Sequence, residues 1–164
     1  NPVLPGPVAD HSLRWKPARQ FLRQEVPPGL LDWLLDPASL TRRLQQACCG
    51  TFRVRLLDQG WGRPTPDECR ALRMRRGERA ILRQVHLLCG DVPWVYARTA
   101  IPARTLHGRQ RRLGRLGTRP LGAVLFADPG MEREPVQLAR IDQGGRLYAD
   151  ATRGLDRCPP SIWG

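Results

Sequence analysis

Residues 79–101 read RAILRQVHLLCGDVPWVYARTAI, and this stretch decides the fold. From Ala80 to Cys89 the sequence is almost continuously apolar, which predicts a strand with both faces covered. Gly90-Asp91 is a turn signal, and residues 94–101 return as a second strand that Pro102 ends. We therefore predict an antiparallel hairpin of two central strands.

The segments before the hairpin predict two short helices and one further strand. Residues 29–35 (GLLDWLL) are typical of an apolar helix that Asp36-Pro37 ends, and residues 39–49 of a second helix with Leu40 and Leu44 on one face. Residues 51–57 (TFRVRLL) alternate as a half-buried strand does, and Gly60 to Pro66 is expected to break it. The helical pair is interpreted either as a movable lid or as ordinary packing.

The segments after the hairpin predict two more helices, at residues 105–113 and 121–126, joined by a glycine-rich hinge. Residues 136–141 (VQLARI) predict a last strand, whereas residues 144–164 show no strand pattern. Residues 1–28 contain six prolines and predict a loosely structured lead. The length of 164 residues and the mixture of elements predict a single α+β domain with an antiparallel sheet.

The chain is strongly basic, with 27 Lys and Arg against 15 Asp and Glu, a net charge of +12. Only Lys16 is lysine, so arginine is the general surface cation. Residues 104–119 hold six arginines and no acid, which indicates either a solvated helical face or a rim that attracts anions. Because no platform of aromatic and basic side chains accompanies this run, we expect no nucleic-acid partner.

Several other classes of protein are excluded by composition and spacing. No apolar stretch approaches the roughly 18 residues that cross a bilayer, and residues 1–10 do not resemble a secretory signal, so we expect a cytoplasmic protein. The five cysteines are odd in number and lack a C-x-x-C spacing, which predicts neither a disulfide framework nor a zinc module. His86 and Cys89 fall on opposite faces of a strand and therefore form no catalytic dyad.

Two features carry the chemistry. Arg83 shares a strand face with three aliphatic residues, so it pairs with an internal carboxylate, meets an anionic ligand in a cavity, or lies in water on an edge strand. Residues 118–122 (TRPLG) predict a helix start with Thr118 as its cap, where free backbone N–H groups could bind an oxyanion. The alternative there is a plain helix cap.

The order of several segments resembles the chorismate lyase family over roughly residues 30–126. The segments are LDWLL (31–35), SLTRRL (39–44), LRQV (82–85), CGDVPW (89–94), ARTAIP (97–102), LGTRPLG (116–122) and LF (125–126).

This resemblance implies a single α+β domain built on a six-stranded antiparallel sheet, with residues 29–49 as a helical flap. It implies a monomeric enzyme that splits chorismate into 4-hydroxybenzoate and pyruvate, the first committed step toward ubiquinone, without a metal or organic cofactor. Arg83 would bind the ring carboxylate as the catalytic residue, and the backbone amides of Leu40 and Leu121 would complete the ligand contacts. Gly122 would allow the close approach of backbone to ligand.

The resemblance also implies a C-terminal stretch of the form G-x-P-L-L-x-x-E, whose Glu would contact the far side of the ring. Residues 157–164 (RCPPSIWG) occupy that place without an acid, so we expect an atypical tail and impaired turnover; Asp150 and Asp156 are not assigned to the role. The alternative function is a non-catalytic, effector-sensing-like ligand-binding domain of the same fold, or an inactive homologue. A sensor would need a DNA-binding partner domain, for which the lead is too short.

Overall fold

The computed structural model describes residues 13–21 and 24–164, so part of the predicted loose lead, residues 1–12 and 22–23, lies outside the described residues. The chain divides into two compact units, one formed by residues up to Asp36 together with Glu134–Gly164, and the other by Pro37–Arg133. The elements are, in order, β1 (Lys16–Pro17), α1 (Leu30–Leu34), α2 (Leu40–Ala47), β2 (Phe52–Gly62), α3 (Pro66–Ala71), β3 (Ala80–Cys89), β4 (Val92–Pro102), α4 (Leu121–Leu125), β5 (Gln137–Leu138), β6 (Arg140–Asp142), α5 (Arg146–Thr152) and β7 (Ser161–Trp163).

The unit Pro37–Arg133 is built on an antiparallel sheet in the order β2-β3-β4, with β3 in the centre. The predicted hairpin of β3 and β4 is confirmed, and Gly90 adopts a φ of 60° in its turn, a conformation that favours glycine. The prediction that both strands are central is wrong for β4, which lies at the edge of this sheet. The central strand buries both faces, which explains its nearly continuous apolar sequence.

Strand β2 is longer than the sequence predicts. It continues through the glycines at 60 and 62 as far as Gly62, after a shift of register between Leu56 and Asp58. A Cβ at Gly62 would lie 2.6 Å from Leu82 Cδ1 on the neighbouring strand. The glycine therefore marks a close approach between strands and not the expected break.

One face of this sheet is covered by the chain that follows β4. Ile81 and Ile101 of the sheet form a buried cluster with Leu113 and Leu116, against which Leu121 and other side chains pack. The helix expected at residues 105–113 is present as two 3₁₀ helices, Ala103–Thr105 and Gly108–Arg115, with an interruption between them. The glycines of this segment disfavour an α-helix and allow tighter turns.

A disulfide joins Cys48, at the end of α2, to Cys89, at the end of β3, with their Cα atoms 5.5 Å apart. Cys49, Cys69 and Cys158 are free. The expectation from cysteine spacing therefore missed one pair, because residues 41 positions apart are brought together only by the packing of α2 beside the sheet.

The other unit contains two short antiparallel ladders, β1 with β5 and β6 with β7. Its core holds Ala139, Ile141 and Tyr148, with Trp15 and Ile162 packed against them. Ile162 of β7 lies opposite Ile141 of β6, so the expectation that the tail forms no strand is wrong. A strand of three residues is too short to show an alternating pattern, and its partner strand supplies the pairing.

The predicted α+β class with antiparallel strands is confirmed. The strands of the described residues form one sheet of three strands and two ladders of two, in place of one six-stranded sheet. Within the described ranges, no helix has the length and apolar character that a membrane crossing requires. Among the same residues, no group of three or more His, Cys, Asp or Glu side chains is placed to hold a metal ion.

Candidate functional site

Arg83 lies in the middle of the central strand β3 and is only 2% exposed. The central position excludes the interpretation in which Arg83 lies in water on an edge strand. Desolvation by burial lowers the pKa of the Arg83 guanidinium from its ordinary value. A guanidinium remains protonated even so, and the site therefore holds a buried positive charge.

The partners of Arg83 are backbone carbonyl groups. Its Nη2 donates to the carbonyl oxygens of Gly117 and Arg119, at 2.9 Å each. No described carboxylate forms an ion pair with Arg83, so the described part of the chain supplies no internal carboxylate partner. Its Nε is buried and has no hydrogen-bond partner among the described residues. Carbonyl dipoles offset only part of a cation's charge, and one strong donor stays unused, so the site is suited to an anion.

Gln59 is the cross-strand neighbour of Arg83 on β2. Its Nε2 donates to the carbonyl oxygen of Gly114 at 2.7 Å, and its Oε1 is buried without a partner. The sequence analysis missed Gln59, because the register shift before Asp58 interrupts the alternation from which its face would be read. The site thus contains one unused donor and one unused acceptor on neighbouring strands.

The segment before α4 supplies both acceptors of Arg83, so the predicted segment 118–122 does lie against this arginine. The helix begins at Leu121, as the predicted bounds 121–126 require, but its cap is not the predicted one. Pro120 is the N-cap and makes no side-chain cap hydrogen bond, so the prediction that Thr118 caps the helix is wrong. The cap residue of α4 therefore accepts no side-chain hydrogen bond from the free N–H groups of the first turn.

The start of α2 lies beside the start of α4. Ser39 caps α2 by accepting a hydrogen bond from the Arg42 amide at 3.4 Å. A Cβ at Gly122 would lie 3.4 Å from Thr41 Oγ1 and 3.6 Å from Ser39 Oγ, so Gly122 lies next to the start of α2. The close approach of backbone to ligand expected at Gly122 stays a prediction. The helix start that carries Leu40 and the one that carries Leu121 are therefore adjacent.

The other sequence-predicted groups make contacts of their own. His86 is buried on the opposite face of β3, where its ring contacts Tyr96, and Cys89 is held in the disulfide. Asp150 lies in the unit that contains the termini and pairs with Arg153. The two helices of the predicted flap fall in different units, and its movement stays a prediction.

Comparisons with known proteins identify the family of this chain. The family model described as chorismate lyase matches residues 10–155, which include the first part of the tail. A protein of Azoarcus sp. (strain BH72) named "Probable chorismate pyruvate-lyase" is 43% identical over 96% of this chain and 82% of its own length. Proteins of the same name are 40% identical in Methylococcus capsulatus (81% of each chain) and 41% identical in Pseudomonas aeruginosa PAO1 (86% of this chain, 78% of the relative). The chain belongs to the chorismate lyase family.

Proposed function

We propose that this protein eliminates pyruvate from chorismate and releases 4-hydroxybenzoate. The observation that carries the proposal is the buried Arg83, which has an unused Nε donor and no carboxylate partner among the described residues. A carboxylate of the substrate would complete its hydrogen bonding and offset its charge. The name and identity of the relatives support the same reaction.

In this proposal Arg83 binds the ring carboxylate, and the backbone N–H groups of Leu40 and Leu121 donate to the ligand from two adjacent helix starts. Gly122, which has no side chain, allows the close approach of backbone to ligand beside these helix starts. Because these donors are already in place and water is excluded, they stabilise an anion without having to reorient during the reaction. The positioning of the substrate is then the main contribution of the protein.

The reaction is redox-neutral and needs no external oxidant. The ether bond between ring carbon and oxygen breaks, and the carbon that bears the hydroxyl loses its hydrogen as a proton. The ether oxygen leaves with the enolpyruvyl group, which becomes pyruvate after taking up a proton. Because the ring becomes aromatic, much of the driving force lies in the substrate, and we propose that no cofactor takes part.

The product of this reaction would serve ubiquinone biosynthesis, as the resemblance implies. We place the reaction in the cytoplasm, because a substrate with two carboxylates does not cross a membrane unaided and must be used in the compartment where it is made. Neither Asp150 nor Asp156 is assigned a role in the chemistry.

The test is conversion of chorismate, followed by the absorbance of 4-hydroxybenzoate. We expect the protein to form product and the Arg83→Met variant to be strongly impaired. Arg55→Met, which removes an exposed arginine of β2, is the matched control and should keep full activity. Binding of 4-hydroxybenzoate without turnover would instead favour the ligand-binding alternative, and an active Arg83→Met protein would contradict the role of Arg83.

A further inference from the structure

We propose that the bond between Cys48 and Cys89 is a site of thiol–disulfide exchange, and that its redox state controls how firmly α2 is held. The bond joins the end of α2 to the end of β3, and both elements belong to the unit Pro37–Arg133. The co-reactant is a thiol, either a small molecule or a protein dithiol. Only the effect of the bond on ligand binding rests on the proposed function.

Both sulfur-bearing residues are accessible to a thiol. Cys48 and Cys89 are half-buried, so neither is enclosed in the core. Glycine follows each end of the bond closely, at Gly50 and at Gly90. A Cβ at Gly50 would lie 3.8 Å from Cys89 Sγ, so no side chain of residue 50 covers this sulfur. Exchange requires that a thiolate reach one sulfur of a disulfide, and this arrangement permits it.

The bond attaches a helix to a sheet that has a core of its own. The buried cluster that contains Ile81 and Ile101 includes neither cysteine, and β3 pairs with a strand on each side. Opening the bond therefore leaves the sheet paired and acts on α2. In the cytoplasm, where we place the reaction, cellular thiols reduce most disulfides, and those that form are usually transient and redox-sensing.

Apart from this bond, α2 has little apolar anchoring. Of its eight residues, all of which the structure describes, only Leu44 is fully buried, and Leu40 at its start is exposed. A helix of this length is marginal in water by itself, so tertiary attachment decides whether it persists. The bond prevents the end of α2 from leaving the sheet. Its reduction should loosen the helix, with Leu44 as the main apolar contact that remains.

The start of α2 belongs to the candidate site. Thr41 and Ser39 lie next to Gly122 of α4, and in the proposed function the backbone N–H of Leu40 donates to the ligand. A bond that restrains α2 keeps this donor in place before the ligand arrives. Preorganised groups bind more tightly, because less conformational freedom is lost on binding. We therefore expect the oxidised protein to bind 4-hydroxybenzoate more tightly than the reduced protein does.

The exchange is balanced by oxidation of the co-reactant. A thiolate attacks one sulfur of the bond and forms a mixed disulfide with it, while the other cysteine leaves as a thiolate and takes up a proton. A second thiol then displaces the first cysteine from the mixed disulfide. Two thiols are thereby oxidised to one disulfide, and Cys48 and Cys89 together gain two electrons and two protons. The reverse sequence closes the bond.

The test uses the variant Cys49→Ser/Cys69→Ser/Cys158→Ser, which keeps only the two bonded cysteines of the five. It is compared in the oxidised state and after treatment with reduced glutathione or with thioredoxin, and thiol labelling with mass spectrometry measures the open fraction. We expect opening without unfolding, hydrogen exchange in Leu40–Ala47 faster by about tenfold or more, and unchanged protection of β3. The Kd for 4-hydroxybenzoate should rise by roughly threefold to tenfold on reduction.

The double variant Cys48→Ser/Cys89→Ser is the control without a bond. It should exchange hydrogen and bind 4-hydroxybenzoate as the reduced protein does, whether or not reductant is present. The comparison of oxidised with reduced protein needs no substitution at either cysteine, so it decides the matter even where the double variant does not fold. Opening by glutathione would support the site with a small thiol as co-reactant, and opening by thioredoxin alone would support it with a protein dithiol.

Three outcomes would overturn the proposal: a bond that resists both reductants in the folded protein, equal exchange of α2 in the two states, or equal affinity of the two states for 4-hydroxybenzoate. Faster exchange of α2 after reduction, together with no binding of 4-hydroxybenzoate by either state, would contradict the proposed function and still support redox control of α2.

Discussion

Replacing Arg83 with methionine should lower the affinity for 4-hydroxybenzoate by about 2 to 5 kcal/mol. This is the usual loss of binding free energy when one partner of a buried charge pair is truncated. It applies here because Arg83 is 2% exposed and has no described carboxylate partner, so the ligand carboxylate would be its counter-ion. At 1.4 kcal/mol for each factor of ten, the loss corresponds to roughly 30-fold to several thousand-fold in Kd. Methionine is chosen because its unbranched side chain fills much of the same space and leaves little cavity.

The effect on stability should be smaller than the effect on binding, because two contributions oppose each other. The variant leaves the carbonyl oxygens of Gly117 and Arg119 without their donor, which costs about 1 to 3 kcal/mol for an acceptor that stays out of water and less for one that water can reach. It also removes a buried cation whose desolvation costs several kcal/mol. Urea denaturation of the unaltered protein and of Arg83→Met measures the difference.

Isothermal titration calorimetry with 4-hydroxybenzoate is the assay. Arg55→Met serves as the control, since Arg55 is exposed on β2 and its loss should leave the affinity unchanged. An Arg83→Met protein that melts cooperatively and binds 4-hydroxybenzoate as tightly as the control would refute the reasoning, because the buried guanidinium would then serve only the fold.

Three further predictions concern other parts of the molecule. Hydrogen exchange of residues 40–44 should slow when 4-hydroxybenzoate is bound, because a closed lid opens less often; equal protection in both states would indicate a static packing element. The double variant Cys48→Ser/Cys89→Ser should lose about 4 kcal/mol of unfolding free energy, because the disulfide closes a loop over 41 positions. The control Cys49→Ser alters a free thiol and should lose little, so equal denaturation midpoints for the two variants would contradict this prediction. Binding of DNA or RNA to the run 104–119 should be weak and disappear at physiological salt in gel-shift assays; sequence-selective submicromolar binding there would overturn it.

The sequence could predict the elements whose signals are local. The apolar run of β3, the Gly90-Asp91 turn and the return strand β4 each depend on neighbouring residues, and the structure has all three. The position of Arg83 among aliphatic residues also follows from the alternation of a strand. The sequence therefore predicts Arg83 as a candidate site residue, although it does not predict the groups that surround it.

The tertiary structure alone decided what those residues meet. Arg83 takes its acceptors from Gly117 and Arg119, more than thirty positions away along the chain. The face of Gln59 depends on a register shift, the Cys48–Cys89 bond on the packing of α2, and strand β7 on its partner β6. Periodicity and turn chemistry report the conformation of a segment, whereas these contacts depend on which distant segments lie side by side. For that reason the sequence by itself determined the α+β class, the hairpin of β3 and β4 and the place of Arg83 among aliphatic residues. Only the packed chain decided that this arginine is buried, how it is held and which of its donors remains free.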